Sequence, residues 1–87
     1  MSLSNIFTSN LPSLDLHGEN SATARVLIKD FIYDNKKLKN DKIVIVHGKG
    51  TGILRKTTHD VLKRHKDVIE FQIDFYNDGS TIVRIKI

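Results

Sequence analysis

The sequence predicts a two-layer α/β sandwich, an α+β domain of order βαβαββ with both helices on one face of a four-stranded sheet. Three features predict it. Leu14-Asp15-Leu16 and Val44-Ile45-Val46 are short apolar runs that each end in His-Gly, and His17 and His47 stand 30 residues apart, about the length of one strand-helix-strand unit. After each pair, apolar residues recur at helical spacing. The last part of the chain alternates apolar and polar residues around a turn signal at Asn77-Asp78-Gly79. Two helices cannot cover both sides of four strands unless they split, whereas alternating strands suit helices on one side and a polar open face on the other.

Residues 1–12, rich in Ser and Asn and ending at Pro12, read as a tail or linker, and the domain as 13–87. A start of this kind suits a piece cut from a longer protein, with Ile6 and Phe7 docking on the domain. The first strand covers about Ser13 to His17, with Leu14 and Leu16 toward the helices and Asp15 and His17 toward the open side. Asn20 or Ser21 caps the first helix by accepting a backbone N–H. Ala24, Leu27, Ile28, Phe31 and Ile32 form its stripe to about Asn35. A basic loop, Lys36 to Lys42, leads to a second strand, Ile43 to Val46, that is apolar on both faces as a central strand should be. Gly48-Lys49-Gly50-Thr51-Gly52 opens the second helix, about Ile53 to His65, with Leu54, Thr58, Val61 and Leu62 as its stripe. The third strand, Ile69 to Phe75, sets Phe71, Ile73 and Phe75 on one face. After the hairpin, where Gly79 is free to take positive φ, Thr81 to Ile87 sets Val83, Ile85 and Ile87 on one face.

Eighty-seven residues make one small domain, which hides only about 60–65% of its unfolded surface, so both helices must share one core. There is no cysteine, hence no disulfide framework and no zinc–thiolate site. No apolar run approaches the roughly 20 residues of a membrane span, and the start lacks the basic-then-apolar layout of a signal peptide. A cytoplasmic protein without a membrane partner is expected. The net charge of +4 favours a polyanionic partner such as nucleic acid.

The glycine loop is neither a Walker loop nor the dinucleotide fingerprint, since its glycines run G-x-G-x-G. Three glycines nevertheless let backbone N–H groups converge, and the helix that follows adds its positive dipole end. A plain strand-to-helix turn needs one or two. Arg55 and Lys56 in the first turn oppose the dipole, by roughly 0.3–1 kcal/mol each when exposed, a cost that a phosphate held between them and the helix end would offset. Lys49 adds a third positive charge.

If the two parallel strands are neighbours, both imidazoles border this loop, and a pair titrating near neutral pH suits acid–base work on a phosphodiester. Asp15, two residues before His17, orients an imidazole or itself accepts a proton. The plain alternative is that each histidine bonds a turn carbonyl and ends its strand. No cofactor is expected; a divalent metal on Asp15, His17 and His47 is conceivable but not indicated, because a two-metal nuclease wants several converging carboxylates. His59 and His65 read as surface or cap residues. Lys36-Lys37-Leu38-Lys39 and Lys63-Arg64-His65-Lys66 follow the helix C-termini, where cations complement the dipole, at the edge of the sheet away from the histidines.

Leu14-Asp15-Leu16-His17-Gly18 together with His47-Gly48-Lys49-Gly50-Thr51-Gly52-Ile53-Leu54-Arg55 resembles the two signatures of the Smr (small MutS-related) domain, LDLHG and HGxGxGxLR. The likeness spans about residues 14–87 and is nearest to the version carried at the C-terminus of the second bacterial MutS paralogue. It implies a fold similar to the C-terminal domain of translation initiation factor three, with a mixed sheet whose last strand inserts antiparallel between strands two and three. It implies an endonuclease that nicks DNA or cuts RNA, in relatives linked to recombination suppression and to stalled ribosomes, and a full-length protein that adds an ATPase domain and dimerises. Carried onto this chain, Asp15 and His17 are the catalytic pair and Gly48 to Gly52 with Arg55 the phosphate site. The family's glycine-rich G-G-x-G-x-T entry to the last strand is here Asn77-Asp78-Gly79-Ser80-Thr81, with one glycine and a matching Thr81.

The expectation is thus a phosphodiester-cleaving domain for branched DNA or structured or ribosome-bound RNA. The catalytic residues are Asp15 and His17, assisted by His47. Gly48, Lys49, Gly50, Thr51, Gly52, Arg55 and Lys56 bind phosphate. The rival is a non-catalytic nucleic-acid or ribosome-binding module. A small-nucleotide binder is a weaker third, because the aromatic side chains are mostly assigned to the core.

Overall fold

Residues 3 and 10–87 are described by a computed structural model of the chain, and the docking expected of Ile6 and Phe7 lies outside the described residues. The elements are β1 (Ser13–Asp15), α1 (Ser21–Lys37), β2 (Lys42–Val46), α2 (Ile53–Arg64), β3 (Val68–Asp74) and β4 (Asn77–Ile85). The sheet order is β1-β2-β4-β3. β1 and β2 run parallel, and β4 lies antiparallel between β2 and β3. This is the mixed four-stranded arrangement expected.

Alternation decides what faces the helices. Leu16 of the turn after β1, Ile43 and Ile45 of β2 and Val83 and Ile85 of β4 are buried in one cluster with Ala24, Ile28 and Ile32 of α1 and Val61 and Leu62 of α2. Both helices therefore share one layer. Each buried Ile or Leu in that cluster contributes about 1.5–3 kcal/mol of apolar transfer. Asn20 starts α1, its side chain accepting the Thr23 N–H at 2.8 Å. At the far end Asn35, buried, donates from Nδ2 to the Phe31 carbonyl and accepts from Asn40, which ties the loop to the helix. α1 thus runs two residues past Asn35.

The second face of the sheet departs from the expected polar surface. Its row Lys42, Arg84 and Glu70 is polar, with an Arg84–Glu70 ion pair. Val44 and Ile82, paired across β2 and β4, are apolar and buried, as is Leu3, and none of the three belongs to the helix-side cluster.

The hairpin also moves. Its tip is Phe75-Tyr76, and β4 already begins at Asn77, which pairs with Asp74. Two side-chain turns outcompete the Asn-Asp-Gly signal: Asp74 accepts the Tyr76 N–H at 2.9 Å, and Asn77 accepts the Gly79 N–H at 3.0 Å. A register shift between Ile73 and Asp74 accompanies this. Phe75 leaves the core for the exposed tip, where it packs edge-to-face on Tyr76 at 5.2 Å. Tyr33 and Tyr76 are exposed as well, so the aromatic side chains are not mostly core, and Ile87, expected on the face of Val83 and Ile85, is exposed beyond the end of β4. Gly79 has no positive φ; it is needed for close approach. A Cβ there would lie 3.2 Å from Asn77 Oδ1 and 3.4 Å from the Gly48 backbone. The Gly79 carbonyl accepts N–H bonds from both His47 and Gly48, at 3.0 and 2.8 Å, and so joins β4 to the glycine loop.

Candidate nucleic-acid interface

The loop from Gly48 to Gly52 turns on two left-handed glycines, Gly48 at φ 79° and Gly52 at φ 83°, a region that L side chains enter only with strain. Gly52 is also the N-cap of α2 and supplies no capping side chain. The first-turn amides of the helix are therefore left toward the loop, with Thr51 Oγ1 taking only a long bond, 3.4 Å, from the Ile53 N–H. Arg55 folds back over this start: a Cβ on Gly52 would lie 3.6 Å from Arg55 Nη2. Lys49 instead reaches Asp78 of β4 at 3.0 Å, and that bond holds the Asp78 carboxyl below its usual range. Lys56 is exposed.

Two clefts meet at Thr51 and Gly52. One, of about 490 Å³, is lined by Gly50, His47 and the start of α1 at Asn20 and Ser21. The other, of about 820 Å³, runs along α2 past Arg55, Lys56, His59 and Lys63 to Arg25 of α1. Basic side chains dominate the second, and its one carboxylate among the described residues, Asp60, is already bonded to Arg25 and Arg64 at 2.8 and 3.0 Å.

The two His-Gly pairs are not equivalent. β1 pairs with β2 as Leu14 with Ile45 and Asp15 with Val46, so one further step sets Leu16 beside His47. The two histidines are out of register by one residue, and one residue reverses the face. His47 continues the Ile43, Ile45 row beneath the helices and is only 6% exposed. His17 falls in the turn, exposed, and lines neither cleft. Asp15 is exposed beside it, and its Oδ1 accepts the His17 backbone N–H at 2.9 Å. Among the described residues the His17 ring has no hydrogen-bond partner.

His47 has partners on both nitrogens: the Gly48 carbonyl at 3.0 Å from Nδ1 and Thr81 Oγ1 at 2.8 Å from Nε2. Thr81 Oγ1 also lies 2.8 Å from Nε2 of His59, on α2. The two rings meet edge-to-face, centroids 5.9 Å apart, and His59 leans on Phe71 of β3 at 5.1 Å. Burial pushes the His47 pKa below the ordinary histidine value, with Arg55 adding to it against the opposing Gly48 hydrogen bond. Burial does the same to His59, followed by the charges of His47, Arg55 and Lys63.

The structure thus gathers His47, Gly50, Thr51, Gly52 and Arg55 around one helix start and leaves Asp15 and His17 on the neighbouring strand tip. It adds His59 and Thr81, and His59 is no bystander on the surface. The signal for it was the spacing: His59 follows Arg55 by four residues, one turn along the same helix face. Among the described residues no three His, Cys, Asp or Glu side chains converge as metal ligands, and no helix is long and apolar enough to cross a membrane.

The Smr domain family model matches residues 14–86. The chain is 37% identical over 76 residues, 87% of its length, to the protein named endonuclease MutS2 of Clostridium perfringens. It is 40% identical over 76 residues, 84% of its length, to the one of Clostridium botulinum strain Eklund 17B. It spans about 10% of the length of each of these relatives. The crystal structure of the Smr domain of Thermus thermophilus MutS2 superposes with a TM-score of 0.86 at 28% identity, covering 88% of this chain and 100% of that one. YdaL, a stand-alone small MutS-related protein of Escherichia coli, shares the fold with a TM-score of 0.81 at 21% identity, covering 86% of this chain and 64% of that one.

Proposed function

This chain belongs to the Smr domain family, and on that premise we propose that it is a nucleic-acid-binding endonuclease module that nicks phosphodiester bonds. The observation that supports the reading is the shared sheet edge: an exposed Asp15–His17 tip stands on the strand that pairs with β2, from which the glycine loop and Arg55 continue. In this mechanism the loop amides of Gly48 to Gly52, with Arg55, Lys56 and Lys49, hold the phosphate. His17, its ring open to solvent, withdraws a proton from the attacking hydroxyl or water as that oxygen bonds to phosphorus. The phosphorus–oxygen bond to the leaving sugar breaks, its oxygen taking a proton from solvent, and Asp15 fixes the turn that presents the imidazole. His47 acts from beneath the loop, because both of its nitrogens are already bonded. Positioned acid–base groups contribute about 10²–10⁴ in rate, so preorganised amides and Arg55 must supply the larger share by stabilising charge on the phosphorane-like transition state. The substrates of this reading are branched DNA, or structured or ribosome-bound RNA, met in the cytoplasm by a longer MutS-like protein with an ATPase domain that dimerises, in recombination suppression or ribosome rescue.

A second reading is favoured by one bond. Asp15 Oδ1 accepting the N–H two residues on is an Asx turn, which forms without any chemistry; on that account the module only binds nucleic acid or the ribosome. A nicking assay on supercoiled plasmid separates the two. The nuclease reading expects the wild type to nick and both Asp15→Ala and His17→Ala to fall by about 10² or more. Equal rates in all three overturn it. In that case salt-dependent oligonucleotide binding that weakens in Arg55→Ala carries the binding-only reading.

A further inference from the structure

Thr81 Oγ1 lies 2.8 Å from Nε2 of His47 and 2.8 Å from Nε2 of His59. A hydroxyl has one proton and donates to only one of them. The far end of the chain fixes which. His47 Nδ1 faces the Gly48 carbonyl at 3.0 Å, and a carbonyl only accepts, so Nδ1 carries the proton. In neutral His47, Nε2 is then the acceptor and takes the Thr81 proton. Thr81 Oγ1 in turn accepts from His59 Nε2–H, which leaves His59 Nδ1 as the basic nitrogen. Among the described residues that nitrogen has no hydrogen-bond partner.

His59 borders the cleft that also holds Arg55, Lys56, Lys63 and Arg25. We propose, on the reading that the glycine loop holds phosphate, that Arg55 and His59 form a proton-coupled clamp for a phosphodiester anion, with Thr81 and His47 fixing which nitrogen of His59 takes the proton. Arg55 supplies the permanent charge. His59 is neutral in the empty cleft because its burial and the charges around it oppose a cation. His47 faces it from the end of β2, and Arg55 and Lys63 flank it on α2. β3 offers only the Phe71 ring, and β4 only the Thr81 hydroxyl. Arg25 of α1 is held by Asp60, the one acidic group of the cleft among the described residues. An anionic phosphate on Arg55 reverses that balance: it cancels the Arg55 repulsion and adds a counter-charge, and His59 Nδ1 takes a proton from solvent as the anion binds. A neutral imidazole held ready in this way grips only a charged ligand.

The test uses the ¹⁵N-labelled chain and a thymidine tetranucleotide without terminal phosphate, whose diester charges do not titrate near neutral pH. Two-bond ¹H–¹⁵N correlations report the tautomer and titration midpoint of each imidazole. Without ligand, His59 should appear as the Nε2–H tautomer and His47 as the Nδ1–H tautomer. With the tetranucleotide, the His59 midpoint should rise by roughly one pH unit, and affinity should increase as pH falls from 7.5 to 5, with about tenfold as its ceiling. His59→Gln keeps an N–H for Thr81 but cannot titrate, so it should bind without that increase. A His59 midpoint that stays in place while the Gly50 and Gly52 amides respond to the ligand overturns the clamp alone. Amides that do not respond at all remove the phosphate reading, and the clamp with it.

Discussion

His17-Gly18 and His47-Gly48 share a dipeptide, a position at the end of a parallel strand, and a glycine at φ 79°, yet one imidazole is exposed, its ring without a hydrogen bond among the described residues, and the other lies beneath the helices with both nitrogens engaged. Backbone chemistry alone would have made them twins. The difference comes from the register of β1 on β2, which places Leu16 and not His17 beside His47. One tip therefore presents a side chain to solvent, and the other uses the same residue type to tie β2, β4 and α2 together through Thr81. Repeated motifs in one small sheet need not have repeated roles, because a single-residue offset exchanges core for surface.

The largest effect that tests this contrast is on stability. His47→Ala removes a buried ring and leaves the Thr81 proton without its His47 acceptor and the Gly48 carbonyl without its donor, and it should cost about 3 kcal/mol, from lost packing and unmade hydrogen bonds together. His17→Ala should stay within about 0.5 kcal/mol, as an exposed substitution away from caps and core. Urea denaturation of the two variants measures both. Comparable losses would mean that the tips are equivalent after all.

Much of this was readable beforehand, and the misses have identifiable causes. The order of elements and the one-sided helices follow from alternation in Leu14, Leu16, Val83 and Ile85. The face of His47 did not, because Ile43-Val44-Ile45-Val46 is apolar at every position and carries no alternation from which to read a face. His59 is hidden in the sequence because Leu54, Thr58, Val61 and Leu62 already complete a stripe along α2, whereas a polar seam through Arg55 and His59 runs beside them. The hairpin tip was displaced because Asp74 and Asn77 each bond a backbone N–H two residues on, which Asn-Asp-Gly alone does not reveal. Phe75 went with it.

Glycine substitutions come next in size and separate backbone from side-chain causes. Gly79→Ala places a Cβ 3.2 Å from Asn77 Oδ1 and 3.4 Å from the Gly48 main chain. The Asn77 side chain must give by a few tenths of an ångström and loosen its bond to the Gly79 N–H, so about 1–2 kcal/mol of overpacking is expected. Gly18→Ala and Gly48→Ala meet open space, so only their left-handed φ matters, at about 1 kcal/mol each. Equal losses at Gly18 and Gly48, measured by the same denaturation, would confirm that the two turns share a backbone and differ only in the histidine. A loss at Gly48 much above that at Gly18 would move the distinction into the main chain.

The smallest effect is on pH dependence, and it isolates the buried tip. His47 and His59 both titrate below the ordinary histidine value of 6.5, so between their folded-state values and 6.5 the unfolded chain binds more protons. Stability there rises with pH. Their contribution is fully present above about pH 6.5 and is lost as pH falls through the folded-state values. The Asp60, Asp67 and Asp78 carboxyls are also held below their ordinary 3.8, by Arg25, Lys36 and Lys49 respectively, and their loss belongs to a separate step below that value. Since one pH unit of displacement corresponds to about 1.4 kcal/mol and water still reaches the His59 ring, the upper step is shallow. Urea midpoints followed from pH 7.5 to pH 3 should show both steps in the wild type. His59→Gln should flatten the upper one, because it removes a group whose proton affinity falls on folding. An upper step that survives His59→Gln unchanged would assign it to some other group and detach His59 from the His47–Thr81 chain.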